Sequence, residues 1–289
     1  CSPYSSTITR CRTEIWATRI TYTNGKFVST TTWFFNNLTY VAAPRAAWIG
    51  NNLGKHAYWT DNGRRWKTEC DSAVTGYNAC RSYIWSNYVE ARKTASGSYT
   101  YVLATGWVFN SMVRFSTDYY VKYSGSRHNS VPLPKGLTEG LIRYTISGGA
   151  MYGIETATPS NQWVDGIASG FGTVQATGVF GFPSDGATQI RINTDADWTM
   201  VLKPLTVGPT FSGSYSGTES VVLSYTGPAV TKSFRHPGPG LFTVQEMTLD
   251  AERRWEVLAN GGDAYSGKKT LLAGPALLII TSEGPWSIS

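Results

Sequence analysis

The chain has 289 residues, of which only 15% are charged, while 11 Trp, 17 Tyr and 11 Phe make it rich in aromatic side chains. This composition excludes a disordered chain, because disorder combines high charge with few aromatics. The abundance of aromatic and β-branched residues excludes a mostly helical fold. The net charge of +6 is spread along the sequence, so we expect no nucleic-acid partner. No uninterrupted stretch of about 18 apolar residues is present, and we expect no transmembrane segment.

The four cysteines mark a duplication in the first part of the chain. Two Cys-x9-Cys pairs occur, Cys1 with Cys11 and Cys70 with Cys80. The matching segments that follow them are Cys11-Arg-Thr-Glu-Ile-Trp16 with Cys80-Arg-Ser-Tyr-Ile-Trp85, and Trp33-Phe-Phe-Asn36 with Trp107-Val-Phe-Asn110. Four cysteines allow three pairings, and equivalent copies should pair alike, which predicts disulfides Cys1–Cys11 and Cys70–Cys80. A lipidated Cys1, a zinc site and a catalytic thiol are the weaker alternatives.

The rest of the pattern predicts an all-β protein. Short alternating runs and the hairpin signal Asn24-Gly25 indicate a duplicated, disulfide-stapled β domain over residues 1–123. A polar stretch ending in Val131-Pro-Leu-Pro134 predicts a linker over residues 124–137. Two β-sandwich lobes are expected to follow, over residues 138–205 and 206–289. Their loose similarity, which places Trp163 and Trp255 at comparable positions, favours a second duplication.

The tryptophans of the first domain divide into two groups. Trp16, Trp33, Trp85 and Trp107 repeat with the duplication, which favours core positions for all four. The connecting segment alone carries Trp48, Trp59 and Trp66. We therefore expect these three to be exposed and to contact a ligand or a partner subunit, since exposed aromatic rings stack on sugars and anchor protein interfaces.

No arrangement of residues indicates catalysis. The histidines, His56, His128 and His236, are far apart in sequence, and no nucleophile elbow, zinc-binding helix or phosphate-binding loop is present. The sequence thus predicts no enzyme, no cofactor and no metal. Asp185, Asp195 and Asp197 are the residues that could hold calcium, although turn-capping acids at the start of a strand are the favoured interpretation.

Two segments resemble known families. Gly63-Arg-Arg-Trp-Lys-Thr-Glu-Cys-Asp71 with Thr75-Gly76 and Ala79-Cys-Arg-Ser-Tyr-Ile84 resembles a repeat of largely uncharacterised secreted proteins of actinobacteria. The last 80 residues or so, with His236, Phe242-Thr-Val244, Tyr265, Gly267 and Gly284-Pro-Trp-Ser-Ile288, are similar to an accessory β-sandwich module of secreted bacterial proteins. Both resemblances imply secretion, and neither implies an activity.

These observations lead to two functional hypotheses. The first is a secreted, non-catalytic structural protein of bacterial origin, a subunit of an extracellular fibre or cell-surface assembly. It would associate with itself or with other surface proteins, because aromatic strands with open edges can join neighbouring subunits. The alternative is a glycan- or cell-wall-binding module of a larger secreted protein. Structural disulfides place either one in an oxidising, extracellular or cell-surface location.

Overall fold

A computed structural model describes residues 1–76, 78–148, 151–181, 186–250 and 252–289. As predicted, the fold is all-β, with two disulfides in the N-terminal region. The described residues form 24 strands and three short 3-10 helices, over Arg45–Trp48, Asn52–Gly54 and Leu205–Val207. The chain divides into two compact units, Cys1–Thr117 and Asp118–Ser289.

The first unit is one seven-stranded sheet in the order β1-β2-β3-β7-β6-β5-β4. Its strands are β1 (Ser2–Pro3), β2 (Thr9–Thr23), β3 (Lys26–Ala43), β4 (Ala57–Asp61), β5 (Arg64–Cys70), β6 (Ala79–Lys93) and β7 (Tyr99–Phe115). Two long hairpins, β2–β3 and β6–β7, meet where β3 and β7 run parallel. The sheet is therefore built around two copies of one hairpin.

The hairpins confirm the predicted duplication position by position. Both disulfides form as predicted, Cys1–Cys11 and Cys70–Cys80. Trp16 pairs with Trp33 in the first hairpin, as Trp85 pairs with Trp107 in the second. Both hairpins also have a register shift at the same distance from their cysteine. It lies between Thr13 and Glu14, just after Cys11, and between Ser82 and Tyr83, just after Cys80. The two copies thus share the register of their strands as well as their sequence.

Trp48 lies in the core of the first unit, and its predicted surface role is wrong. Its side chain is only 1% exposed and packs edge-on against Tyr40, with ring centroids 5.0 Å apart. Tyr4 stacks on the same indole at 5.9 Å and contacts Tyr40 at 5.0 Å. The 3-10 helix that ends at Trp48 folds the ring inward, and Gly54 accommodates it because a Cβ there would lie 2.5 Å from the Cβ of Trp48.

The second unit consists of two β-sandwich lobes with the same topology. Lobe 1 has β8 (Val121–Ser126), β9 (Asn129–Pro132), β10 (Gly140–Ser147), β11 (Met151–Ala157), β12 (Trp163–Phe171), β13 (Val174–Phe180), β14 (Gln189–Thr194) and β15 (Asp197–Lys203). Lobe 2 has β16 (Thr210–Phe211), β17 (Tyr215–Gly217), β18 (Val221–Tyr225), β19 (Val230–His236), β20 (Phe242–Thr248), β21 (Trp255–Gly261), β22 (Tyr265–Leu271), β23 (Ala276–Ser282) and β24 (Trp286–Ile288). Sheets β13-β10-β15-β8 and β12-β11-β14-β9 of lobe 1 correspond to β22-β19-β24-β17 and β21-β20-β23-β18 of lobe 2.

Equivalent side chains support this second duplication. Trp198 and Trp286 are buried at matching positions, and each indole N–H donates to a main-chain carbonyl, of Arg127 at 3.1 Å and of Glu219 at 3.0 Å. A register shift occurs at the same place in each lobe, after Ile154 in β11 and after Val244 in β20. The two lobes share an apolar interface made by Leu141, Leu205, Val222, Met247, Leu249, Leu277 and Ile279.

The structure differs from the predicted linker over residues 124–137. That stretch contains part of β8 and all of β9, which are edge strands of lobe 1, and the first unit ends at Thr117 rather than at residue 123. The residues that suggested a linker have packing roles. Gly125 lies against Trp198, where a Cβ would be 2.5 Å from the indole. Pro132 is tolerated because an edge strand leaves one row of N–H groups unpaired.

Candidate interaction surface

The outer part of the first hairpin, residues 14–36, is here called the arm. β3 pairs with β7 only from Leu38 to Ala43, and β1 pairs with β2 only at Thr9 and Arg10. Within the described chain, the arm therefore has no strand paired to either of its outer edges. An isolated two-stranded hairpin is only marginally stable in water, and open strand edges invite pairing with another chain.

One face of the arm is strongly aromatic. Trp16 and Trp33 are 58% and 61% exposed, and they contact each other edge-to-face with centroids 5.7 Å apart. The register places Tyr22, Phe27 and Phe35 on the same face, and each of them is about 40% exposed or more. The opposite face exposes Ile15 and Val28. Contiguous exposed apolar surface of this kind marks interaction sites on soluble proteins.

The corresponding aromatic pair of the second hairpin is partly covered. Trp85 and Trp107 are in contact at 5.2 Å, as in the first copy, but both are half-buried. The difference comes from β5, which pairs with β6 and places the Arg65 guanidinium 4.6 Å from the ring of Trp85. The Lys67 ammonium lies 5.4 Å from the ring of Trp107. Cations over indole faces stabilise this arrangement and exclude water from it.

The prediction that all four repeated tryptophans lie in the core is therefore wrong for Trp16 and Trp33. The two tryptophans of each hairpin contact each other across the strands, and this contact alone explains why both copies carry them. Repetition in sequence thus fixed the position of each ring in its hairpin and left its burial undetermined. The sequence feature that distinguishes the two copies is the segment Arg64–Cys70, because this strand precedes the second hairpin alone and covers its edge.

Trp59 and Trp66, the other two predicted contact residues, form a stacked pair. Their ring centroids are 5.9 Å apart with an interplanar angle of 13°, and both side chains are half-buried. Trp66 pairs with Ile84, so the two rings lie on the sheet face opposite to Trp85. Because each ring stacks one face against the other ring, the pair offers a ligand less aromatic surface than two separate indoles would.

A buried ion pair anchors the turn of the second disulfide. The Arg45 guanidinium donates to the Asp71 carboxylate at 2.7 and 3.2 Å, and both side chains are almost completely buried. Arg45 also donates to the side chain of Asn78 at 3.1 Å and stacks 3.8 Å from the centre of Phe115. These bonds link residues on both sides of the Cys70–Cys80 bridge, and their role is to hold the fold.

The histidines and aspartates that the sequence analysis considered for catalysis or metal binding are scattered through the chain. His236 is buried, with Nδ1 2.9 Å from the carbonyl of Pro285, and His128 has Nδ1 3.1 Å from the carbonyl of Thr194. Asp185 lies outside the described residues. In the part of the chain that is described, no group of three or more His, Cys, Asp or Glu side chains is placed to hold a metal ion. The same residues contain no helix long and apolar enough to cross a membrane.

One buried carboxyl group has a perturbed pKa. Glu246 on β20 is completely buried in lobe 2, and burial raises the pKa of its carboxyl above the ordinary value. The Leu272 N–H donates to one carboxyl oxygen at 2.9 Å, which opposes the effect, and the other oxygen has no hydrogen-bond partner among the described residues. The equivalent residue in lobe 1 is the buried Thr156. Glu246 lies inside the sandwich and has no access to a substrate, so we assign it no catalytic role.

No protein-family model matches this chain, and no curated protein is similar to it. The two family resemblances therefore stay predictions.

Proposed function

We propose that this protein is a non-catalytic structural subunit of an extracellular fibre or cell-surface assembly. The observation that carries the proposal is the arm, a two-stranded ribbon whose outer edges pair with no strand of the described chain and whose Trp16 and Trp33 are exposed on one face. Such a ribbon gains stability when a neighbouring chain covers its aromatic face or adds a strand to its edge.

The size of the aromatic face supports a protein partner. Interfaces are anchored by a few large aromatic residues surrounded by polar groups, and Trp and Tyr are the residues most enriched among such anchors. The arm offers Trp16, Trp33 and Tyr22 on one face, with the exposed Arg19 within it and the exposed Arg12 just before it. A partner that covered the two indoles would remove from water apolar surface that the isolated chain leaves exposed.

The disulfides support the proposed location. Both bridges staple neighbouring strands of the first unit, and disulfides persist mainly in oxidising compartments. The two bridges lie outside the arm, so they hold the first unit together whether or not the arm is paired. We therefore propose an extracellular or cell-surface location for the assembled protein.

The experiment is light scattering of the purified full chain over a range of concentrations, combined with negative-stain electron microscopy. The proposal predicts particles or filaments that grow with concentration. A monodisperse monomer at every concentration, with no regular particles on the grid, would overturn it.

The alternative is glycan or cell-wall binding, and the stacked pair of Trp59 and Trp66 is the observation that favours it. Trp59 is half-buried, so part of its ring stays accessible on this face of β4. A sugar bound there would change the tryptophan fluorescence of the wild-type chain and not that of Trp59→Thr. A panel of cell-wall glycans without any response would remove this alternative.

A further inference from the structure

The second hairpin shows what a covered outer edge looks like in this protein. Strand β5 pairs antiparallel with β6 from Trp66 to Cys70, and Trp66 lies opposite Ile84. The preceding Arg65 places its guanidinium over Trp85. An Arg-Trp pair at the start of an added strand thus covers both faces of this hairpin edge, the Ile84 side with Trp66 and the Trp85 side with Arg65.

The first hairpin has the same edge without the added strand. Ile15 and Trp16 are the equivalents of Ile84 and Trp85, and they are 47% and 58% exposed. Within the described residues, no strand pairs with the outer edge of β2 beyond Arg10. The two side chains that Trp66 and Arg65 cover on β6 are therefore repeated on β2 and are exposed there, while Glu14 stands in place of Tyr83.

The tripeptide that covers the second hairpin occurs once more in the chain. Arg64-Arg65-Trp66 leads into β5, and Arg253-Arg254-Trp255 leads into β21. β21 is an edge strand of lobe 2, where Trp255 and Val257 are 43% and 55% exposed and Glu256 is exposed between them. An edge strand with two exposed apolar side chains is suited to strand addition.

Lobe 1 provides an internal contrast. Trp163, at the start of β12, is the equivalent of Trp255, and it follows Asn161-Gln162 instead of two arginines. The Arg-Arg-Trp motif is therefore not part of the lobe duplication. It occurs only at residues 64–66, where β5 begins, and at residues 253–255, where β21 begins.

The distribution of charge favours contact between the first unit of one molecule and the second unit of another. Residues 1–117 contain 13 Lys and Arg against five Asp and Glu, a net charge of +8. Residues 118–289 contain 12 Lys and Arg against 14 Asp and Glu, a net charge of −2. Opposite net charges favour association of unlike surfaces and disfavour contact of two first units.

We propose that β21 of one molecule adds antiparallel to the outer edge of β2 in a second copy of this chain. Arg254-Trp255 takes the place that Arg65-Trp66 takes on β6, so that Trp255 covers Ile15 and Arg254 lies over Trp16. In this register Glu256 lies opposite Glu14 of the second copy, and Arg12, whose guanidinium is 3.1 Å from the Glu14 carboxylate, shares that sheet face with both carboxylates. The inference rests on the proposed function and names its interface.

The contact joins two different surfaces, so its symmetry is head-to-tail. Each molecule in such a contact still has one unused arm or one unused β21 edge, and association can continue to an open filament. A pair of variants, each lacking one of the two surfaces, can therefore form only one type of contact with each other. This property separates the proposal from an arm-to-arm dimer, in which loss of the arm cannot be complemented.

The experiment uses two variants of the full chain, measured alone and mixed by analytical ultracentrifugation. The arm variant is Trp16→Thr with Trp33→Thr, and the edge variant is Trp255→Thr with Val257→Lys; all four positions are exposed. Each variant alone is expected to be monomeric, with association weakened at least tenfold. An equimolar mixture is expected to give a one-to-one heterodimer and nothing larger, which also shows that both variants fold. The matched control Trp163→Thr is expected to assemble like the wild type.

Three outcomes would overturn the inference. If the edge variant assembles like the wild type, β21 is not the partner strand, although the proposed function stands. If both variants are monomeric and their mixture stays monomeric, the contact is not head-to-tail between these surfaces. If the wild type itself is monomeric throughout, the proposed function fails together with the inference.

Discussion

The two hairpins of the first unit have the same register, the same position of their register shift and the same cross-strand tryptophan pair, yet their surroundings differ. Strand β5 covers one edge of the second hairpin and half-buries Trp85 and Trp107. The arm leaves Trp16 and Trp33 about 60% exposed. The two copies therefore share the internal contacts of the hairpin and differ in how far their tryptophan pairs are exposed.

The largest expected effect on stability concerns the buried Arg45–Asp71 ion pair, which lies beside the disulfide of the second copy. Arg45→Ala should lower the free energy of unfolding of the first unit by about 3–5 kcal/mol, because it leaves the buried Asp71 carboxylate without its ion-pair partner. Urea unfolding followed by tryptophan fluorescence measures this. Arg12→Ala is the matched control, since the exposed Arg12–Glu14 pair should contribute less than about 1 kcal/mol. Equal losses for the two variants would contradict the difference between the copies.

The disulfides provide a test in which the copies should agree. Each bridge joins cysteines ten positions apart. Replacing either pair by alanine is expected to cost about 2.7 kcal/mol, the chain-entropy value for a loop of that length. Calorimetry with a reducing agent should show a lower melting temperature for the first unit and an unchanged one for the lobes. A single transition that reduction does not affect would break this account.

The tryptophan pairs should separate stability from association. Trp85→Thr with Trp107→Thr is expected to lower the free energy of unfolding by about 2 kcal/mol, because half-buried rings and their cation contacts are lost. Trp16→Thr with Trp33→Thr removes mainly a cross-strand contact and should cost about 0.5–1 kcal/mol. Thermal unfolding of the two double variants measures the difference. A larger loss in the first copy would mean that the exposed pair is a folding element.

The lobes extend the comparison to a smaller, pH-dependent effect. The ordinary pKa of a glutamate carboxyl is about 4.3, and well below that pH Glu246 is protonated in both the folded and the unfolded chain. As the pH rises past that range, the unfolded chain ionises first, because burial raises the pKa of Glu246 in the folded lobe. The free energy of unfolding should therefore fall by about 1.4 kcal/mol for each unit by which the folded pKa is raised. Stability then stops changing once the pH exceeds the folded pKa.

Glu246→Gln should remove that pH-dependent loss, and Glu246→Thr should imitate lobe 1, where Thr156 is buried at the equivalent position. Urea unfolding of both variants between pH 4 and 8 provides the measurement. A wild-type profile that the Gln variant reproduces in full would contradict this role of Glu246.

Much of the fold could be predicted from the sequence because it depends on local patterns and repeats. The matched Cys-x9-Cys segments predicted both disulfides, and the Asn24-Gly25 turn lies between β2 and β3 as expected. The linker prediction failed because Gly125 and Pro132 have roles that only packing reveals, against Trp198 and at a sheet edge.

The candidate surface was harder to predict, because burial depends on which strand lies beside a residue and not on the residue itself. Trp48 was expected outside and is in the core, since Tyr4 and Tyr40 enclose it from distant parts of the unit. Trp16 was expected inside and is exposed, since nothing in the described chain pairs with that edge of β2 beyond Arg10. Neither outcome follows from local composition.

The central claim is that the exposed copy of the hairpin serves association and the covered copy serves stability. The most direct test is sedimentation velocity of the wild type, of Trp16→Thr with Trp33→Thr, and of Trp85→Thr with Trp107→Thr, at equal concentrations and below their melting temperatures. We expect the first double variant to stay monomeric where the wild type and the second double variant associate. Association of the first double variant at wild-type strength would contradict the account.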